Sequence, residues 1–263
     1  MQIQLKDFTL AYEERGEGKP LLMIHGYPLS RALWEPQMEG LVDAARLIAP
    51  DLRGHGQSDP VPGPYRMELL ADDCAALLEA LKVTQPVVVA GLSMGGYVAL
   101  AFYRKYAARV AGLILAATRA GADSPEGQAN RDKSAALARE KGVDAIVEAM
   151  LPKMLSPKSY EAKPKVVAWA KQIMGTASVE GVVGALLAMK DRPDSTPTLA
   201  QIDKPTLILH GADDQLIPPK EAETLHAGIK NSTLQILPEA GHLLNLEQPE
   251  GFNQAVRSFL QSI

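Results

Sequence analysis

Short runs of apolar residues alternate along this chain with segments whose apolar residues recur at helical spacing. This alternation predicts a mostly parallel sheet with helices on both faces, because successive parallel strands need a crossover helix between them. After a leading hairpin over residues 3–5 and 8–13, six runs are predicted to form strands: 20–25, 46–51, 86–92, 110–117, 205–210 and 233–237. The sequence thus predicts an α/β fold with a mostly parallel, twisted sheet.

Helical spacing marks the segments between these strands and one longer stretch near the middle of the chain. The predicted core helices are residues 32–44, 67–81, 95–107, 220–229 and 249–262. The stretch from about residue 121 to 197 is too long for a simple loop, so it must have structure of its own. Its predicted helices are residues 131–141, 143–155, 164–174 and 179–189. We therefore predict a core, residues 1–120 and 198–263, with an inserted helical cap, residues 121–197.

A G-x-S-x-G motif spans residues 91–95, between a predicted strand and a predicted helix. A serine at a sharp turn from strand to helix exposes its hydroxyl, and the flanking glycines remove the Cβ atoms that would clash there. The five-residue pattern alone also fits an ordinary tight turn. The strand before it and the helix after it favour the interpretation that Ser93 is a nucleophile.

Two later loops supply the residue types that a serine nucleophile needs. A base must accept the hydroxyl proton, and a carboxylate must fix the tautomer of that base. Asp213 and Asp214 follow the predicted strand 205–210, and His242 follows the predicted strand 233–237. Each could be an ordinary loop residue or helix cap, but the joint order at successive strand ends favours a catalytic triad. The spacing leaves both aspartates open as the acid.

Composition and charge exclude several classes of partner and cofactor. The net charge is −4 and no cluster of lysines and arginines is interleaved with aromatics, so we expect no nucleic-acid partner. Residues 1–10 lack the features of a signal peptide, and no apolar run reaches the roughly 18 residues of a membrane helix, which predicts a soluble, cytoplasmic protein. Cys74 is the only cysteine, and the five histidines lack paired-ligand spacing. We expect no disulfide, no metal and no cofactor.

Five motifs resemble, in family order, those of small bacterial α/β-hydrolases related to esterases, cofactor-free haloperoxidases and 3-oxoadipate enol-lactonases. The motifs cover nearly the whole chain and are residues 25–28 (HGYP), 51–58 (DLRGHGQS), 91–95, 211–218 and 241–242. The resemblance implies the α/β-hydrolase fold with a cap. In this family the acid usually falls three residues after the glycine of a G-x-x-D loop, which implies Asp214 rather than Asp213.

The reaction of such a serine builds negative charge on an oxygen, and backbone N–H donors must stabilise it. The expected donors are Met94, directly after the nucleophile, and Tyr27, in the segment that resembles the family's H-G-x-P turn. His25 is expected to hold this turn rather than to do chemistry. Six residues are candidates for an apolar acyl pocket, although each could instead pack in the core. These are Trp34, Met150, Leu155, Trp169, Leu216 and Leu243.

The sequence therefore predicts a carboxylesterase that cleaves small esters through an acyl-Ser93 intermediate. A lactonase, acting on acyl-homoserine lactones or enol-lactones, uses the same residues and is the main alternative. Perhydrolase or haloperoxidase activity and a ligand-sensing protein built on this scaffold are further alternatives. A small-molecule ester or lactone is the expected partner, and the oligomeric state is left open by the sequence.

Overall fold

The computed structural model describes residues 1–263 and has one eight-stranded sheet at its centre. Its strands are β1 Gln2–Gln4, β2 Thr9–Arg15, β3 Pro20–Ile24, β4 Arg46–Pro50, β5 Val87–Leu92, β6 Val110–Ala116, β7 Thr206–Gly211 and β8 Ser232–Leu237. The order across the sheet is β1-β2-β4-β3-β5-β6-β7-β8. Strand β2 pairs antiparallel with β1 and with β4, and every other pair is parallel. The predicted mostly parallel sheet is confirmed.

The central strands are apolar throughout because helices cover both faces of the sheet. In β3, Leu22 and Ile24 point into one core, and Leu21 and Met23 point into the other. All five residues of β3 are buried. A parallel strand between two helical layers therefore shows a continuous apolar run instead of an alternating one.

Five core helices cover the sheet. They are α1 Glu35–Gly40, α2 Met67–Ala80, α3 Met94–Tyr106, α9 Pro219–Gly228 and α11 Pro249–Ser262, with the four-residue α10 Leu244–Glu247 just before the last. The predicted helix over residues 32–44 is wrong in extent, because it consists of a 3₁₀ turn, Arg31–Trp34, and the short α1. Gly40, a poor helix former, ends α1, and the chain turns there to enter β4.

The helices between β6 and β7 are α4 Pro125–Met150, α5 Ser159–Ala162, α6 Pro164–Met174, α7 Val179–Lys190 and α8 Thr196–Leu199. A break inside α4 falls at Gly142, whose φ of 78° interrupts the helical backbone where the sequence predicts a boundary. No single helix is long and apolar enough to cross a membrane. Helices α6 and α7 reach that composition only together, and they are bent by 94° relative to each other.

His25 fixes the turn that follows β3. Its Nδ1 lies 2.8 Å from the carbonyl oxygen of Gly26, and its Nε2 accepts a hydrogen bond from the Leu52 N–H at 2.9 Å. The first bond lies within the turn after β3, and the second joins this turn to the turn after β4. Complete burial, together with the nearby positive charge of Arg31, lowers the pKa of His25 to about 4, so the ring is neutral near pH 7.

This burial makes the folded state sensitive to acid. Between about pH 6.5, the ordinary pKa, and about pH 4, the unfolded chain protonates His25 and the folded chain does not, so stability falls as the pH falls through this window. The His25→Gln protein lacks this contribution. As the pH falls through this window, its free energy of unfolding should decrease less steeply than that of the wild type, and the two slopes should differ by up to about 1.4 kcal/mol per pH unit. Urea unfolding at several pH values measures both slopes. Parallel slopes would contradict the assignment.

Candidate active site

Ser93 lies at a sharp turn between β5 and α3. Its φ of 56° and ψ of −116° form a backbone conformation that is strained for a residue with a side chain. The Ser93 N–H donates to the Ala116 carbonyl at 2.9 Å, and the Ser93 carbonyl accepts from the Thr118 hydroxyl at 2.8 Å. A Cβ on Gly91 would meet the carbonyl oxygen of Gly95 at 2.1 Å. The glycines therefore make this turn possible, and the bonds from β6 and from the loop after it hold the turn.

Asp214 and His242 are joined in the loops after β7 and β8. The Nδ1 atom of His242 lies 2.8 Å from Asp214 Oδ2, and both side chains are buried. The other carboxylate oxygen, Oδ1, accepts the N–H groups of Leu216 at 2.8 Å and Ile217 at 3.0 Å. The carboxylate is therefore fixed from both sides and holds the imidazole in one orientation.

The charge of Asp214 is maintained although the residue is buried. Burial alone would raise the pKa of this carboxyl, but the adjacent His242 and the two backbone N–H donors outweigh it and lower the pKa below its ordinary value. The neighbouring Asp213 is half-buried and points elsewhere, where its carboxylate accepts from the Ser156 hydroxyl at 2.7 Å. Of the two candidate acids, Asp214 is the one beside His242.

The two expected oxyanion donors flank Ser93. Met94 is the first residue of α3, so its N–H has no partner within the helix. Tyr27 lies in the turn after β3, and a Cβ on the preceding Gly26 would lie 3.2 Å from the Ser93 Cβ. The backbone of this turn therefore runs directly beside the candidate nucleophile.

A cavity of about 110 Å³ opens over Ser93 and His242. The serine hydroxyl is not hydrogen-bonded to the imidazole in this structure, and both residues line the cavity. Two guanidinium groups, those of Arg119 and Arg131, complete the wall with hydrophobic residues. The hydrophobic lining consists of Tyr27, Tyr97, Met150, Met189, Leu216 and Ile217. No group of three or more His, Cys, Asp or Glu side chains is arranged to hold a metal ion.

Two of the six residues predicted for the acyl pocket, Met150 and Leu216, line this cavity. The other four belong to or pack against the core on the α11 side of the sheet: Trp34, Leu155, Trp169 and Leu243. Trp34, for example, packs against Phe252 with 6.0 Å between ring centroids. These four residues do not line this cavity, and apolar residues of this kind also pack in the core.

Sequence reasoning missed five residues of the cavity wall: Tyr97, Arg119, Arg131, Met189 and Ile217. Arg119 comes three residues after the end of β6, at the same sheet edge as Ser93, so its position along the chain is a signal that could have identified it. Arg131 on α4 and Met189 on α7 carry no such signal, because their approach to the cavity depends on how those helices pack.

Comparison with known proteins agrees with this fold. A family model described as alpha/beta hydrolase fold matches residues 19–249. A solved thermophilic esterase from Thermogutta terrifontis, with malate bound, is 43% identical, with a TM-score of 0.97 over 100% of this chain and 98% of that chain. AB hydrolase superfamily protein YisY of Bacillus subtilis is 34% identical, over 97% and 96% of the two chains, and 3-oxoadipate enol-lactonase 2 of Acinetobacter baylyi is 31% identical, over 97% and 94%. The chain is a hydrolase that belongs to the α/β-hydrolase fold family.

Proposed function

We propose that this chain is a carboxylesterase that cleaves small esters with a Ser93–His242–Asp214 triad. One observation carries the proposal: Ser93 and His242 line the same cavity, and the far side of the imidazole is bound to a buried carboxylate at 2.8 Å. A hydroxyl becomes a useful nucleophile when a base takes its proton, and the carboxylate stabilises the cation that results.

In the first half of the reaction, the Ser93 oxygen attacks the ester carbonyl while His242 Nε2 takes the hydroxyl proton. The carbonyl oxygen becomes an oxyanion and accepts hydrogen bonds from the N–H groups of Tyr27 and Met94. When the tetrahedral intermediate collapses, the bond to the alcohol breaks and the imidazolium gives its proton to the leaving oxygen. The alcohol departs and leaves an acyl-Ser93 ester.

In the second half, water takes the place of the alcohol. His242 removes a proton from the water, whose oxygen attacks the acyl carbon and forms a second oxyanion. Collapse releases the carboxylic acid and returns the proton to Ser93. Asp214 carries no proton through the cycle; it orients the ring and stabilises its positive form.

We also propose that residues 121–197 act as a cap over this site. Helix α4 supplies Arg131 and Met150 to the cavity wall, and α7 supplies Met189. The loops after β5, β7 and β8 supply the reacting groups from below. Such a division would let the cap select the substrate while residues 1–120 and 198–263 hold the catalytic groups.

Lactone hydrolysis is the second candidate function, favoured by the 31% identity to an enol-lactonase over 97% of this chain. A lactone passes through the same steps, except that its alcohol stays tethered to the acyl group. Turnover of lactones much faster than p-nitrophenyl butyrate would select this second function over the first.

Substitutions in the proposed triad test the function directly. Ser93→Ala and His242→Ala should lower kcat for p-nitrophenyl butyrate by about 10⁴-fold or more, because they remove the nucleophile and the base. Asp214→Asn should lower kcat by about 10³- to 10⁴-fold, because it no longer fixes the histidine tautomer that the reaction needs. Steady-state kinetics of the purified variants measures these losses.

Asp213→Asn is the matched control, since it changes the adjacent carboxylate that contacts Ser156 instead of His242. It should keep kcat within about threefold of the wild type. A large loss in this variant together with a small loss in Asp214→Asn would contradict the assignment of the acid. A fully active Ser93→Ala protein would overturn the proposed mechanism.

Glu247 on α10 is proposed to position the loop that carries His242. Its Oε2 accepts the Gly241 N–H at 2.7 Å, and its Oε1 accepts the Ser156 N–H at 2.8 Å and the Ser159 hydroxyl at 2.6 Å. Burial raises the pKa of Glu247 despite these bonds. One buried carboxyl group therefore ties the residue before His242 to the segment between α4 and α5.

Glu247→Gln should loosen this loop, because its amide NH₂ must face at least one backbone N–H donor. We expect the free energy of unfolding to fall by about 1–3 kcal/mol. The kcat should fall about tenfold because small displacements of a catalytic base are costly. Glu250→Gln, the same change at an exposed site on α11, is the control. A Glu247→Gln enzyme with kcat within twofold of the wild type would refute the positioning role.

A further inference from the structure

A cluster of three arginines around one aspartate borders the catalytic cavity. Asp123 has a side chain that is 1% exposed, and it is contacted by Arg119 at 2.5 Å, Arg131 at 3.0 Å and Arg192 at 2.9 Å. Burial of Asp123 opposes ionisation, but the arginine charges outweigh it and lower its pKa. Asp123 is the one carboxylate in direct contact with these three guanidinium groups, while Glu221 lies near Arg119 and Asp194 lies near Arg192.

Two of the three guanidinium groups lie at the cavity wall. Arg192 is almost fully buried and packs over the Tyr97 ring, 4.2 Å from its centroid, whereas Arg119 and Arg131 line the cavity beside Ser93. Arg131 binds Asp123 through its Nε, which leaves its terminal NH₂ groups without a protein acceptor. Positive charge with free donors at a cavity wall is suited to a carboxylate, which accepts hydrogen bonds from a guanidinium in a planar pair.

The hydroxyl of Tyr27 is a second unsatisfied donor at the same wall. Tyr27 is 4% exposed, and its hydroxyl has no hydrogen-bond partner, although buried hydroxyls usually find one. It lines the catalytic cavity and a second cavity of about 330 Å³, and Arg131 lines both as well. The second cavity has a further cation, Lys153. A substrate that extends from Ser93 toward the second cavity therefore meets two cationic side chains, Arg131 and Lys153.

We propose that the substrate of this site carries a second carboxylate, which does not react and which Arg131 binds. The inference rests on the proposed function, because it names the class of ester that Ser93 cleaves. Half-esters of small dicarboxylic acids, or esters whose alcohol part is a hydroxy acid, have this chemistry. In both cases the bound carboxylate anchors the substrate while its ester carbonyl lies at Ser93.

Two charged esters distinguish the two placements of the carboxylate. Monoethyl glutarate carries it on the acid part, and acetoxyacetate carries it on the alcohol part. Ethyl pentanoate and propyl acetate are their uncharged partners. For each pair, kcat and KM are measured by titration of the acid released, and the ratio of kcat/KM for the charged ester to that for the uncharged ester gives the selectivity.

Arg131→Gln should lower the selectivity ratio about 10- to 100-fold for the preferred charged ester, mainly through KM, since one charge-assisted hydrogen-bonding partner is lost. Asp123 keeps Arg119 and Arg192 in this variant, so the cluster remains paired. Arg139→Gln is the matched control, because it removes the same charge from an exposed position on the same helix, outside both cavities. Its selectivity ratio should equal that of the wild type.

Binding without turnover gives an independent readout. Glutarate should bind the Ser93→Ala protein by calorimetry and should bind the Ser93→Ala, Arg131→Gln protein at least tenfold more weakly. If the wild type cleaves uncharged esters and Arg131→Gln has an unchanged selectivity ratio, the carboxylate site is overturned while the proposed function stands. If no ester is cleaved but glutarate binding depends on Arg131, the esterase proposal fails and the carboxylate site stands.

Discussion

The direction of the parallel strands is the constraint on which the whole site depends. Strands β3, β5, β6, β7 and β8 run in one direction, so the turns that follow them meet at a single edge of the sheet. Ser93 follows β5, Asp214 follows β7 and His242 follows β8. Residues that are far apart in sequence therefore come together at one end of the sheet.

Burial shifts the pKa values of groups at this edge of the sheet, and it also costs free energy. A carboxylate in an apolar environment is expensive unless hydrogen bonds and opposite charge compensate it. Asp214 has two backbone donors and the imidazole of His242, and Glu247 has two backbone donors and one hydroxyl. His25 avoids this cost in a different way, because its buried imidazole is neutral near pH 7. The hydrogen bonds that compensate a buried group also hold it in a fixed position. Fixed positions are needed for efficient proton transfer.

The sequence predicts residues whose positions are set by the ends of strands. It does not predict residues whose positions depend on how helices and side chains pack. Ser93 and His242 were predicted to be catalytic because each follows an apolar run whose end lies at the same edge of the sheet. Spacing alone could not choose between Asp213 and Asp214, since adjacent loop residues point in different directions and the sequence does not specify which faces the histidine. Trp34 was assigned to the pocket but packs on Phe252 in the core. Arg131 was missed because the approach of α4 to the cavity is a tertiary property.

The most direct test of the central claim is to trap the covalent enzyme. Diethyl p-nitrophenyl phosphate phosphorylates a serine that an adjacent base activates, and mass spectrometry of a tryptic digest locates the adduct. Ser93 is the only serine in the tryptic peptide 83–104. The proposed mechanism predicts one diethylphosphoryl group on this peptide, at Ser93, and none in the His242→Ala protein. An adduct on another residue, or equal labelling of the two proteins, would contradict it.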